Sequence, residues 1–218
     1  MAKVIKSLMQ SLYPYGIFRA DRVLSSSRPS PLAYLTFDDG PIPEVTPKVL
    51  AILAKYKVKA TFFMVGENID KHPDVFEQVV KAGHSIGNHT YNHLKGWRTP
   101  FKEYMENVEK WEQAMKKCLS PFTFHLSPLF RPPYGKATLR QRIALHKKGY
   151  RLIYWDIMTH DYNPRVTPEQ MLRRVQRGAR PGSIINFHDS LKSNERMLEV
   201  LPQVIEWLQK EGYELAAL

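Results

Sequence analysis

The chain has 218 residues, 43% of them hydrophobic and 24% charged, an ordinary globular composition that excludes a disordered or fibrous protein. Cys118 is the only cysteine, which excludes an internal disulfide framework and a cysteine-based structural zinc and suits a reducing compartment. Lysine and arginine exceed aspartate and glutamate by 32 to 21, for a net charge of +11. These basic residues are scattered over polar helix faces and form no stripe interleaved with aromatics, so nucleic acid is not an expected partner. No run reaches the roughly 18 apolar residues of a membrane span. Residues 1–21 break at Gln10, Pro14, Tyr15 and Gly16 and lack the apolar core of a signal peptide. The expectation is a cytoplasmic protein with no stable membrane insertion, and the sequence carries no signal for oligomeric state.

Strands and helices alternate after an N-terminal arm and a Ser/Pro/Arg-rich loop over 25–31. An apolar run at 33–37 predicts a buried strand. A helix follows from Pro47, with Thr46 as its N-cap and Val49, Ile52, Leu53 and Tyr56 at helical spacing. The next apolar run is 60–65, and Pro73 opens a helix closed by Gly83. A short strand over 84–87 precedes a long amphipathic helix that starts at Thr99-Pro100. Residues 126–130 predict a strand, and Thr138 caps a helix ending at Gly149. A strand over 151–155 follows, then a helix whose Thr167 and Gln170 make a capping box. A strand over 183–187, a helix ending at Gly212 and a last strand over 213–215 complete the chain. About seven β/α alternations imply parallel strands with crossover helices, closed into a barrel or left as an open doubly wound sheet. The domain reading is an arm and loop over 1–31 and a single unit over 32–218.

Strand interiors are apolar, so the polar residues behind each strand stand out. They are Asp38-Asp39-Gly40-Pro41, His89-Thr90-Tyr91-Asn92-His93, Arg131-Pro132-Pro133-Tyr134, Trp155-Asp156 with His160-Asp161-Tyr162 a little later, and His188-Asp189. In a β/α barrel these ends converge on one face. His89 and His93, at i and i+4, would share one side of a helical turn and bind one ion. Adding one of the two carboxylates makes a two-histidine, one-carboxylate set suited to Zn²⁺, with Co²⁺, Ni²⁺ or Fe²⁺ also compatible. The other carboxylate is then placed to take a proton from water, and His188 to protonate a leaving group. His72, His84, His125 and His146 lack such partners and are expected to be structural or solvated.

Taken together, these residues resemble the motif set of NodB-type polysaccharide deacetylases, carbohydrate esterase family 4. The resemblance runs from about residue 33 to 215, with the motifs in family order. It implies a distorted, incomplete (β/α)7–8 barrel, with Asp38 as catalytic base and Asp39, His89 and His93 as metal ligands. It further implies that Arg131 orients the base, that the Tyr134 N–H helps hold an oxyanion and that His188 is the general acid. Pro133 and Trp155 join Tyr134 among the expected substrate-side residues. Two positions depart from the pattern. The fourth motif normally reads Asp-x-x-Asp-Trp; here its first Asp, the residue that usually tunes the acid histidine, is Met158, and Tyr162 replaces the aromatic. That leaves Asp161 or Asp156 to orient His188. Asn186 stands where the fifth motif usually has Leu.

The implied activity is metal-dependent removal of N-acetyl, less readily O-acetyl, groups from a carbohydrate such as a chitooligosaccharide or a peptidoglycan-like glycan. The alternatives are another metal-dependent amidohydrolase, deformylase-like, of the same superfamily, and a non-catalytic carbohydrate-binding relative. Trp97, in the loop over 95–99, is a candidate platform for stacking a sugar.

Overall fold

A computed structural model describes residues 13–20, 30–118 and 128–218. Part of the predicted 25–31 loop, the first two residues of the predicted 126–130 strand, and His125 lie outside the described residues. The strands are β1 (Gly16–Ile17), β2 (Leu32–Asp38), β3 (Thr61–Met64), β4 (Ser85–Asn88), β5 (Leu129–Phe130), β6 (Arg151–Ile153), β7 (Ile157–Met158), β8 (Ser183–His188) and β9 (Glu214–Ala216). The helices are α1 (Thr46–Lys55), α2 (Gly66–Lys71), α3 (Pro73–Lys81), α4 (Phe101–Cys118), α5 (Leu139–Lys147), α6 (Pro168–Gly178) and α7 (Asn194–Lys210).

All paired strands run parallel, in the order β1-β6-β5-β4-β3-β2-β8-β7, and β9 pairs with the first half of β2. Only three residues separate β6 from β7, yet β6 pairs with β5 and β7 pairs with β8. Those four residue steps span at most about 14 Å, so the sheet must curl until its ends nearly meet. The result is the distorted, incomplete barrel implied by the resemblance. Residues 13–20, assigned from the sequence to an arm, lie across the remaining seam. Gly16 and Ile17 pair with Leu152 and Ile153 of β6. Two residues on, Arg19 bridges Ser183, and the Ala20 N–H donates to Gly182 O at 2.8 Å.

The two-residue period of the strands divides the core into layers. Ala33, Leu35 and Phe37 of β2 join Phe62, Met64, Ile185 and Phe187 and the apolar faces of the helices in the outer core. Tyr34 points the other way, with Phe63, Leu129, Ile153 and Ile184, and plugs the barrel interior. Above this plug the inward positions turn polar: Thr36, Asp38, Arg131 and Asn186 are all buried.

Most predicted elements are present, with shifted ends. The Thr167 capping box closes with Gln170, and the Thr138 cap forms a capping box as well, with Gln141. Thr46, by contrast, is not an N-cap. The Val45 position precedes α1 without a side-chain cap, and the Thr46 hydroxyl donates to Asp189 Oδ2 at 2.6 Å while accepting from the Ile42 N–H. The predicted 151–155 strand stops at Ile153, because the chain turns there to cross the seam. Helix α2 and strand β7 are additions, too short to show a period.

Candidate active site

The C-terminal ends of β2, β4, β5 and β8 meet at one mouth. Asp39 Oδ1 lies 3.3 Å from His93 Nε2 and 3.8 Å from His89 Nε2. One ligand atom from each of the three side chains falls within 4.8 Å of the others. The carboxylate of the set is therefore Asp39, and the two imidazole rings stand 5.0 Å apart.

The predicted helical turn over 89–93 is not formed. The segment is an irregular loop in which Thr90 and His93 take left-handed φ values of 63° and 53°. Its backbone groups are instead satisfied by fixed partners, as buried loop groups must be. The Thr90 N–H donates to Asn88 Oδ1, the Tyr91 and Asn92 N–H groups donate to Asn107 Oδ1, and the Thr90 and Tyr91 carbonyls accept from the first N–H groups of α2. His89 Nδ1 lies 2.7 Å from the Arg131 carbonyl, which fixes it as the N–H donor and leaves Nε2 free toward Asp39. Burial pushes the His89 imidazole down to about 4, so it is neutral and ligand-ready at pH 7; burial also lowers His93.

Asp39 has a left-handed φ of 85°, a conformation that costs a non-glycine residue about 1–3 kcal/mol. The turn is held from three sides. The Asp39 N–H donates to Phe63 O, the Asn68 amide donates to Asp39 O, and the Gly40 N–H donates to Asp189 Oδ1. A Cβ on Gly40 would sit 2.0 Å from Asp189 Oδ2, so this position requires glycine. Asp189 also donates its own N–H to Asp38 O, and burial pushes its carboxyl up to about 8. Sequence reasoning missed this clamp; its one signal was an acid directly after His188 at a strand end.

Asp38 faces inward onto Arg131, with Oδ1 accepting from Nη1 at 2.7 Å. Arg131 is fully buried. Its other acceptors are Thr36 Oγ1 and Asn186 Oδ1, with the Ile153 and Tyr154 carbonyls at the far side of the guanidinium. The guanidinium rests 4.1 Å over the Phe63 ring, on top of the apolar plug. Burial alone would raise the Asp38 carboxyl, but Arg131, His89 and His188 outweigh it and hold it below the ordinary value. Asn186 thus has a function in this chain, as an acceptor for Arg131. The inward parity of Thr36 and Asn186 was the available signal for both.

His188 Nδ1 lies 2.8 Å from Asp161 Oδ1, and its N–H donates to Asp161 Oδ2. Asp161 is therefore the residue that orients His188. Asp156 is not: it accepts from Ser183 Oγ and the Ile184 N–H at the opposite end of β8, paired to Arg180. Met158, in place of the usual Asp, contacts the Tyr162 hydroxyl through its sulfur. Burial opposes the charge on His188, but Asp161, with Asp39 and Asp38, raises the imidazole to about 9.

Tyr134 follows β5 in a tight turn with φ 59°, half-exposed, its ring 4.7 Å from that of His93. The two hydrogen bonds closing this turn use the Gly135 and Lys136 N–H groups, not that of Tyr134. Pro133 is buried inside the turn, and Trp155 packs against Gly135, where a Cβ would lie 2.7 Å from its ring, and over Arg131. Of the remaining histidines, His84 is structural: its Nδ1 accepts from the Ala60 N–H, and burial lowers it to about 4. His146 stacks on Tyr15.

A triad that could hold a metal ion, beside an arginine-paired carboxylate and a carboxylate-oriented imidazole at the mouth of a β/α barrel, fits the class of metal-assisted hydrolases. The comparisons with known proteins narrow that class. The polysaccharide deacetylase profile matches residues 25–153, more than half of the chain. A peptidoglycan-N-acetylglucosamine deacetylase of Bacillus cereus is 31% identical over 185 residues, which is 84% of this chain and 66% of the relative. A chitooligosaccharide deacetylase of Azorhizobium caulinodans is 32% identical over 198 residues, 85% of this chain and 91% of that one. The crystal structure of the Bc1960 peptidoglycan N-acetylglucosamine deacetylase superposes with a TM-score of 0.85 at 27% identity, covering 96% of this chain and 94% of that one. This chain belongs to the polysaccharide deacetylase family, carbohydrate esterase family 4. Among the described residues, no helix is long and apolar enough to cross a membrane.

Proposed function

We propose that this protein hydrolyses N-acetyl groups of an acetylated glycan built on N-acetylglucosamine, releasing acetate and a free amine. The observation that carries this reading is the convergence of Asp39, His89 and His93 with the Asp38–Arg131 and His188–Asp161 pairs at one mouth. Relatives that act on peptidoglycan and on chitooligosaccharides support the substrate class. The catalytic unit is residues 32–218, with residues 13–20 packed onto its seam.

The donor set fits a divalent ion: two neutral imidazole nitrogens and one carboxylate, with one imidazole fixed from behind by Arg131 O. A zinc ion suits this set, and when held by Asp39, His89 and His93 it would polarise the acetyl carbonyl and acidify a water. The chain's own groups do the rest. Asp38, kept ionised by Arg131, takes the proton from the attacking water. The Tyr134 N–H donates to the oxygen on which negative charge develops. His188 enters protonated and delivers its proton to the departing amine nitrogen. An amine needs that proton more than an alkoxide does, which favours the N-acetyl over the O-acetyl reaction. The binding-only reading loses its main support, because Asp161 takes the orienting part that Met158 cannot.

Acetate release from N-acetylglucosamine oligosaccharides, assayed with added Zn²⁺ or Co²⁺, tests the reading. Asp38→Asn should abolish turnover with metal content near wild type by elemental analysis, whereas His89→Ala or His93→Ala should lose the metal itself. Full activity in Asp38→Asn would remove the assignment of the base.

A further inference from the structure

Beside the ligand triad stands an exposed ledge whose side chains the reaction itself does not use. Trp97 and Tyr134 are 41% and 50% exposed, among the few large aromatic side chains of the described residues left so open. The Tyr134 ring abuts His93, and the Trp97 ring meets Tyr134 edge-on at 5.5 Å, so the ledge leads outward from the reacting centre. Each ring carries a lysine: Lys95 Nζ lies 5.5 Å from the Tyr134 centroid and Lys136 Nζ 5.3 Å from that of Trp97. Arg98 follows on the same loop and is exposed. Among the described residues, none of these three cations forms an ion pair.

The ledge is also built to keep its shape. Gln141, fully buried, donates through Nε2 to the carbonyls of Gly96 and Thr99 and accepts the Thr138 N–H on Oε1. One side chain thereby fastens the loop carrying Lys95 and Trp97 to the segment just after Tyr134 and Lys136. A Cβ on Gly96 would stand 2.9 Å from Lys136 O and from Gln141 Oε1, so the two strips of chain touch. Aromatic rings held in place offer flat apolar surface to the C–H face of a sugar at little ordering cost. Among the described residues the ammonium groups above them have no carboxylate to satisfy, and a neutral glycan gives them nothing.

We propose that Trp97, Tyr134, Lys95 and Lys136 form a subsite for a carboxylate-bearing sugar next to the N-acetyl sugar being hydrolysed, so that the preferred substrate is an anionic acetylated glycan. This rests on the deacetylase reading and deepens it. The carboxylate sits between the two ammonium groups while its ring stacks on the aromatic ledge. Because these charges are exposed, their effect falls on encounter and KM and is screened by salt.

The test compares two oligosaccharides of equal length, alike at the N-acetylglucosamine unit. In one the neighbouring sugar carries a free carboxylate, and in the other that carboxylate is a methyl ester. For the zinc-loaded wild-type enzyme at low salt, kcat/KM for the acid should exceed that for the ester about tenfold, through KM, and the ratio should fall in 0.5 M NaCl. In Lys95→Gln/Lys136→Gln the ratio should drop to about one. Calorimetric titration of both sugars into zinc-loaded Asp38→Asn reads binding without turnover. Preferential binding of the acid, with no acetate released from either sugar by the zinc-loaded wild type, would sink the deacetylase reading and leave the subsite standing. Equal binding and equal turnover of acid and ester by the wild type would overturn the subsite, as would a ratio that survives in the double variant.

Discussion

Asp38 and Arg131 are a buried ion pair, an arrangement that is a poor source of stability but costly to break on one side only. Arg131→Met should destabilise the fold by about 3–5 kcal/mol, measured by urea denaturation. In the same variant the carboxyl of Asp38, with burial unopposed, should titrate upward and carry the acid limb of the activity profile with it. For the wild type the sign runs the other way. The lowered Asp38 contributes stability above its unfolded value of about 3.9, and that contribution is lost as pH falls through the lower folded value. His188 is the complement, raised to about 9. Its contribution is complete below the unfolded value of about 6.5 and is lost as pH rises through about 9. Asp161→Asn removes the main support of that charge. The alkaline limb of kcat should move down by about one pH unit or more, with metal content unchanged; an unmoved limb would refute His188 as the acid.

At the scale of elements, the site depends on loops that no regular structure holds. The Asp38-Asp39-Gly40 turn keeps its left-handed residue because Asp189, at the end of β8, fills the space a side chain on Gly40 would need. Gly40→Ala must displace that carboxylate and with it the Asp39 backbone. Zinc affinity by competition with a chelator should weaken by 10- to 100-fold, the usual effect of disturbing the support behind a ligand. On the other side, Gln141→Ala leaves buried carbonyls of Gly96 and Thr99 without their donor and should cost about 1–3 kcal/mol. Local signals served well where local chemistry decides. The Thr138 cap and the Thr167 capping box were legible because each cap lies three residues from its partner. Thr46 was misread because its hydroxyl bonds to Asp189, 143 residues away. The spacing of His89 and His93 is helical, but the backbone between them is left-handed in two places. The two histidines still meet one ion site, because Asn88, Asn107 and α2 hold the loop.

For the whole molecule, the barrel is closed by chain geometry more than by a complete ladder. Segment 13–20 covers the seam that remains, with Phe18 stacked on Tyr154 at 4.7 Å and Tyr13 edge-on to the same ring. Deleting residues 1–20 should bare the edge of β6 and lower Tm, about 2–4 °C for each kcal/mol lost, with the proposed metal site still able to load an ion. A deletion that left Tm unchanged would show the seam to be stable without the segment.

The sequence by itself determined the β/α alternation, the parallel sheet and the polar residues at the strand ends. Each of these follows from hydrophobic period, caps and punctuation that act over a few residues. The motif order likewise pointed to Asp38, Asp39, His89, His93, Arg131 and His188 before any contact was known. Only the tertiary structure decided which carboxylate serves which partner. That Asp161 and not Asp156 supports His188, that Asp189 clamps Gly40, and that Asn186 accepts from Arg131 all depend on strands far apart in the chain. Register across a curled sheet sets those pairs, and no local pattern encodes it.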